Sequence, residues 1–258
     1  MTHRPTHNHA SRHRLRALAG AVSLATIALG IVIGHAASRA DTVVSSTTVQ
    51  YLAIIDVRPT SVPAVLVDRT GAEYVTIAAG NGLAAFHMMR TEVTNAHYAQ
   101  CVAAGACSLP GEPALFADPA LANHPVRYVR LAQARVYAGW VGGALPTEAQ
   151  WLRACRGDAN RTYSWGEAPP DATLANFGDA VGRTTPVGSY TRGTGPFGTL
   201  DMAGNAWEWA EPDDGSVDAW IVRGGDYRSS AAFIACSTRY DVGIDDGNHG
   251  FRVIAPAP

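Results

Sequence analysis

The run Leu200-Asp201-Met202-Ala203-Gly204-Asn205-Ala206-Trp207-Glu208-Trp209 packs acids, a glycine, an amide and two tryptophans into ten residues. It has neither the 3.6-residue period of a helix nor the alternation of a strand, so it reads as a shaped loop. The carbonyls of such a loop need partners. Asp201, Glu208 and those carbonyls make up the all-oxygen set that a hard cation such as Ca²⁺ prefers. A plainer reading has Asp201 and Asn205 capping turns while the tryptophans fill core, and the residues alone leave both open.

The rest of the chain sets the context for that loop. With 258 residues, 47% of them hydrophobic and 16% charged, it can form one large packed domain or two small ones. Residues 1–40 contain no acid, and Arg4, Arg12, Arg14, Arg16 and Arg39 bracket an apolar run from Ala17 to Ile33. That pattern predicts an export signal cleaved before Asp41, with an uncleaved membrane anchor as the alternative. Without those residues, 15 arginines face 22 acids, a formal charge of −7, which argues against nucleic acid as a partner.

Four cysteines in an exported chain favour disulfides. Cys101 and Cys107 enclose a loop short enough for one bridge to close, which leaves Cys155 for Cys236. Buried free thiols are the alternative. A Cys₄ zinc site fits less well, because no two cysteines have the close spacing of zinc ligands.

In chain order, Leu52–Ile55 and Ala64–Val67 read as short strands, followed by Glu73–Ile77 and Phe86–Val93. Thr94 caps a helix that places Tyr98, Cys101 and Val102 on one face and ends at Gly105; His97 is expected at its surface. Residues 108–125 read as irregular. A second helix runs from Leu131 to Val141 with Leu131, Ala134, Ala138 and Val141 as its stripe. A third starts at Thr147 with Gln150 at capping-box spacing, and Glu148 in its first turn suits the helix dipole. Beyond Gly157, frequent Gly, Pro, Asn and Asp imply ordered loops on a small sheet.

The opening run resembles the DMxGNxWEW signature of the formylglycine-generating enzyme, or sulfatase-modifying factor, family. Six further pieces follow that family's order: Thr91–Tyr98, Leu145–Trp151, Tyr163–Gly166, Thr185–Tyr190, Arg223–Tyr227 and Gly250–Val253. The resemblance implies an α+β fold akin to complex C-type-lectin-like domains, with little regular secondary structure, two or three helices and small antiparallel sheets. It spans 73–255, preceded by a β extension over 41–72 of unassigned role.

The resemblance also implies two structural calcium sites. The first maps to Asp201, Gly204, Ala206 and Glu208; the second maps to Asn176, Phe177, Asp179 and Val181 across a shortened segment. Members that make formylglycine hold copper(I) on two cysteines after the Arg-Gly-Gly, and soft thiolates suit that ion. Here those positions are Ser229 and Ile234, so neither copper binding nor formylglycine formation is expected. A pocket is expected from Asp226, Tyr227, Arg228, Ser229, Arg239 and His249, with Tyr240, Asp241, Asp245, Asp246 and Asn248 nearby. The expected function is an exported binding or accessory module for an unidentified peptide, protein or small molecule. An oxidoreductase or maturation enzyme using the same pocket for other chemistry is the alternative.

Overall fold

The computed structural model describes residues 66–216, 221–242 and 248–256, all within the unit Arg58–Pro258. The expected export segment, the strand at Leu52–Ile55 and the loop acids Asp245 and Asp246 lie outside the described residues. Within them, short strands occur as β1 (Leu66–Val67), β2 (Glu73–Ile77), β3 (Phe86–Met89), β4 (Glu208–Ala210), β5 (Ile221–Arg223), β6 (Arg239–Asp241) and β7 (Ile254–Pro256). The α-helices are α1 (Asn95–Ala103), α2 (Pro113–Phe116), α3 (Leu131–Trp140) and α4 (Glu148–Arg156).

One antiparallel sheet has the order β1-β2-β3-β7 and the other β4-β5-β6. In the larger sheet Tyr74 pairs with Met89, whereas Val75 pairs with Met88 and Ile77 with Phe86. Because neighbouring residues of a strand point to opposite faces, these pairs feed two different cores. Tyr74 and Met89 join Tyr98, Tyr137, Trp209 and Phe251. Ile77, Phe86 and Met88 join Trp151, Cys155, Met202 and Cys236 on the other face. The expected boundary at 72/73 falls inside the β1–β2 hairpin, so residues 66–72 are part of this sheet.

The helix starts follow their capping residues. Thr147 accepts from the Gln150 N–H, and Gln150 Oε1 accepts from the Thr147 N–H at 2.9 Å, completing a capping box. Thr94 caps α1 in the same way, with His97 Nδ1 accepting from the Thr94 N–H at 3.4 Å, so His97 has a structural task. In α3 the buried stripe is Leu131, Ala134, Tyr137 and Ala138, and Val141 is the C-cap rather than a stripe member. Tyr137 is buried because its ring stacks on Tyr98 at 5.5 Å and meets the edge of Phe251 at 5.4 Å. The 108–125 segment, read as irregular, holds α2 and a 3₁₀ turn at Pro119–Leu121, each opened by a proline whose missing N–H costs nothing there. Both expected disulfides are present, Cys101–Cys107 and Cys155–Cys236.

Candidate functional site

The 200–209 loop is held around one side chain that lies far from it in sequence. Arg252, fully buried, donates from Nε to Glu208 Oε2 and from Nη2 to Glu208 Oε1, each at 2.7 Å. Its remaining N–H groups reach the carbonyls of Leu200 at 3.0 Å and of Met89 and Arg90 at 3.2 Å. Trp151 Nε1 adds a donor to Glu208 Oε2 at 2.8 Å. One guanidinium therefore joins the end of β3, the loop and the start of β4, and supplies donors to buried oxygens of all three.

Two residues of the loop adopt left-handed backbone, Asp201 at φ 57° and Asn205 at φ 65°. These conformations turn their side chains inward. Asp201 Oδ2 accepts the Gly188 N–H at 2.6 Å. Asn205 Oδ1 accepts the Thr185 N–H at 2.9 Å, and its Nδ2 donates to Glu92 Oε1 at 3.1 Å. Gly204 between them has φ 80°, and a Cβ there would stand 2.2 Å from the Asn176 carbonyl oxygen, so only glycine fits.

Three buried carboxylates, Glu92, Asp201 and Glu208, thus share the field of Arg252. Burial, then repulsion from Asp201 and Glu208, pushes Glu92 well above the usual carboxylate range, with Arg252 opposing. Burial raises Asp201 to about 6, against the pull of the Gly188 N–H and Arg252. Arg252 stays charged: burial works against its charge, but Glu208 first, then Glu92 and Asp201, raise its pKa. Two acids inclined to hold a proton bring the cluster closer to neutrality.

A carboxyl whose folded pKa is raised lends stability that is fully present below its unfolded value and is lost as pH rises through the folded one. For Asp201 the window runs from 3.8 up to about 6. In EDTA, Asp201→Asn is expected to flatten the decline in unfolding free energy between about pH 4 and pH 6 seen in the parent protein. Urea titrations at intervals across that range measure it, and identical slopes in the two proteins would refute it.

The two expected calcium sets fare differently. Both oxygens of Glu208 are taken by Arg252 and Trp151, and Asp201 Oδ2 is taken by Gly188. The positive charge of Arg252 meets Glu208 from within the chain, while Glu92 Oε2 of the same cluster is buried without a hydrogen-bond partner. In the second set, Asn176 is 2% exposed; its Nδ2 donates to the Arg183 carbonyl at 2.9 Å while its Oδ1 is buried without a hydrogen-bond partner. An orphaned buried oxygen is what a hard cation could satisfy. Phe177 is half-buried beside Asn176, and Asp179 and Val181 are exposed.

The segment after Arg223-Gly224-Gly225 is built on apolar packing and a tight turn. Ile234 is fully buried, and a Cβ on Gly225 would stand 2.8 Å from its Cγ2. Ser229 Oγ donates to Asp226 Oδ1 at 2.9 Å, and Asp226 Oδ1 also accepts the N–H groups of Arg228 and Ser229. The Tyr227 ring is buried, with Arg127 and Arg228 guanidinium carbons 5.5 and 4.9 Å from its centre.

The six expected pocket residues make different contacts. Asp226, Tyr227, Arg228 and Ser229 lie together on the turn, whereas Arg239 binds Glu148 from β6 and also pairs with Asp241. His249 packs on the edge of Trp209 at 4.7 Å. Glu148, assigned to the helix dipole from sequence, takes Arg223 as well as Arg239 and so ties α4 to β5 and β6. Sequence reasoning missed Glu92, Arg252 and Glu148 as partners. The available signal was a charge flanked by apolar neighbours in Glu92-Val93 and Phe251-Arg252-Val253, the setting of a buried, paired charge.

Paired small antiparallel sheets, short helices and long ordered loops define the fold, and solved structures share it. PvdO from Pseudomonas aeruginosa aligns over 75% of this chain and 98% of its own, with TM-score 0.57 and 22% identity. CarF aligns over 73% and 100%, with TM-score 0.58 and 20% identity. The sulfatase-modifying factor enzyme 1-like domain matches residues 65–257, and the chain belongs to that family, which includes formylglycine-generating enzyme.

Among curated relatives, the hercynine oxygenase of Mycolicibacterium smegmatis is 43% identical over 91 residues, 34% of this chain and 21% of that protein. The formylglycine-generating enzyme of Mycobacterium tuberculosis is 43% identical over 101 residues, 34% of this chain and 33% of that protein. The match spans a fifth to a third of these relatives' own lengths.

Proposed function

We propose that this protein is an exported, non-formylglycine-forming member of its family that acts as a binding or accessory module for a peptide, protein or small molecule. The observation that carries this reading is the chemistry at Ser229 and Ile234: a hydroxyl committed to a turn and a buried methyl-bearing chain stand where a thiolate pair would bind copper. All four cysteines of the chain are in disulfides, so no thiol is left over for that ion. The same disulfides, with the arginine-bracketed apolar N-terminus, support export to an oxidising compartment. The excess of acids over arginines after residue 40 supports a partner other than nucleic acid.

Calcium is proposed as a stiffening ion at Asn176, Phe177, Asp179 and Val181, supported by the orphaned Asn176 Oδ1. It would supply charge and coordination to the loop that begins at Asn176. The second reading, an oxidoreductase or maturation enzyme using different chemistry, is supported by the relatives named hercynine oxygenase.

Elemental mass spectrometry of the exported protein after dialysis, with free thiols counted on the same sample, separates the two. The expected result is calcium near one per chain, no stoichiometric redox metal and no free thiol. Stoichiometric copper or iron would overturn the binding-module reading in favour of the enzyme.

A further inference from the structure

Three loops meet beside Tyr227. The 123–128 loop reaches it through Arg127, whose guanidinium carbon is 5.5 Å from the Tyr227 ring centre and 5.2 Å from that of Tyr128. The 183–187 loop joins the first through His124 Nδ1 and Thr184 Oγ1 at 2.9 Å and through the Val187 N–H to the Asn123 carbonyl at 2.9 Å. The 226–229 turn supplies Arg228, 4.9 Å from the Tyr227 ring centre.

Each loop carries one arginine: Arg127, Arg183 and Arg228. Among the described residues none of the three is ion-paired, although six other arginines are. The nearby carboxylates are occupied elsewhere or stand apart. Asp226 accepts donors of its own turn, and Asp118 caps the 3₁₀ turn through the Ala120 N–H at 2.9 Å. Glu112 lines the same cavity as Arg127, about 30 Å³ and too small for an organic ligand, and Asp179 is exposed beside the Tyr227 carbonyl; neither makes an ion pair with the three arginines. His124, buried close to Arg127 and Arg183, is held toward its neutral form by burial first and then by Arg183.

A chain rich in acid has therefore set two guanidinium groups, those of Arg127 and Arg228, against one buried aromatic ring, with no ion pair to either among the described residues. Guanidinium groups fixed by ring stacking are partly pre-organised, and their planar donor forks match an oxyanion. Tyr128 is held at φ 59°, a conformation that non-glycine residues adopt at a cost and that concentrates at functional surfaces.

The geometry points to an oxyanion-binding site formed by Arg127 and Arg228 around Tyr227, taking a carboxylate or phosphate group of the protein's ligand. This rests on the binding reading above for its biological role, and it places the ligand's anionic end at the one cluster of expected pocket residues that the fold does bring together.

The test is calorimetric titration of the full chain with citrate and with inorganic phosphate, at ionic strength fixed with chloride so that screening is constant. One saturable site is expected. Arg228→Gln should weaken it about tenfold, the scale of one charge-assisted hydrogen bond. Arg90→Gln, which removes an exposed pair with Glu73 on the larger sheet, should leave it unchanged. Arg228 is exposed, so its loss leaves the fold intact, and matching thermal melts confirm that.

A third titration with an acetylated peptide carrying the same number of carboxylates distinguishes sources. Tighter binding than citrate assigns the site to an acidic peptide, and equal or weaker binding assigns it to a small anion. No saturable binding of any probe, or equal affinity in the Arg127→Gln/Arg228→Gln protein, would overturn the site. That failure is separate from failure of the binding-module reading, which is decided by copper or iron content.

Discussion

Arg252→Met is expected to destabilise the domain by about 3–5 kcal/mol, the cost of leaving a buried charge without its partner. Glu208 would keep the Trp151 N–H but lose both guanidinium bonds, and the carbonyls of Leu200, Met89 and Arg90 would lose a shared donor. Coulomb attraction in a dry interior repays desolvation only while the pair is complete, so removing Glu208 as well should recover part of the loss. The double variant Glu208→Leu/Arg252→Met is therefore expected to be more stable than Arg252→Met alone. Urea unfolding of the parent, both single variants and the double variant gives the coupling directly. A loss below about 1 kcal/mol for Arg252→Met would mean that the pair is screened by water and that the 200–209 loop holds its shape by packing.

Cys155→Ala/Cys236→Ala is expected to cost about 4–5 kcal/mol in the loop-entropy account of disulfides. The bridge closes a sequence separation of 81 residues, and both cysteines are fully buried in the core that holds Trp151 and Met202. Two effects therefore add: a freer unfolded chain and a small loss of packing. Cys101→Ala/Cys107→Ala, which opens a separation of only 6, is expected to cost less, because loop-closure entropy grows with length. Thermal melts of the two variants rank the bridges, and equal losses would show that strain or unfolded-state structure outweighs loop length.

The calcium expectation shows where a motif stops being informative. Asp201 and Glu208 match the pattern of a hard-cation site, and the sequence contains nothing within the motif to contradict it. What the motif does not show is Arg252, 44 residues after Glu208, which the β4-to-C-terminus packing brings into the same space. Asn176, by contrast, kept an oxygen free that no spacing argument could have distinguished from an ordinary turn residue.

The local rules were legible because they act over a few residues. Thr94 and Thr147 start helices because their hydroxyls reach the third N–H onward, and Gly204 is a glycine because its φ and its approach to Asn176 admit nothing larger. The motif order from Thr91 to Val253 fixed the family, and Ser229 and Ile234 removed the copper thiolates without reference to any fold.

Pairing across distance was not legible. Val141 and Tyr137 both sit near the stripe of α3, and only the rings of Tyr98 and Phe251 chose the tyrosine. Arg239 and His249, grouped by sequence with Tyr227, contact Glu148 and Trp209, and Arg127, about a hundred residues upstream, reaches the Tyr227 ring.

The sequence by itself determined the helix caps, the disulfide partners and the lack of a cysteine at positions 229 and 234, because each depends on neighbours in the chain or on an atom being present at all. Tertiary structure decided which charges neutralise one another, that Arg252 pairs with Glu208, and that Arg127 and Arg228 stand against the Tyr227 ring. Electrostatic energy depends on distance through the folded interior, and sequence spacing does not carry that distance.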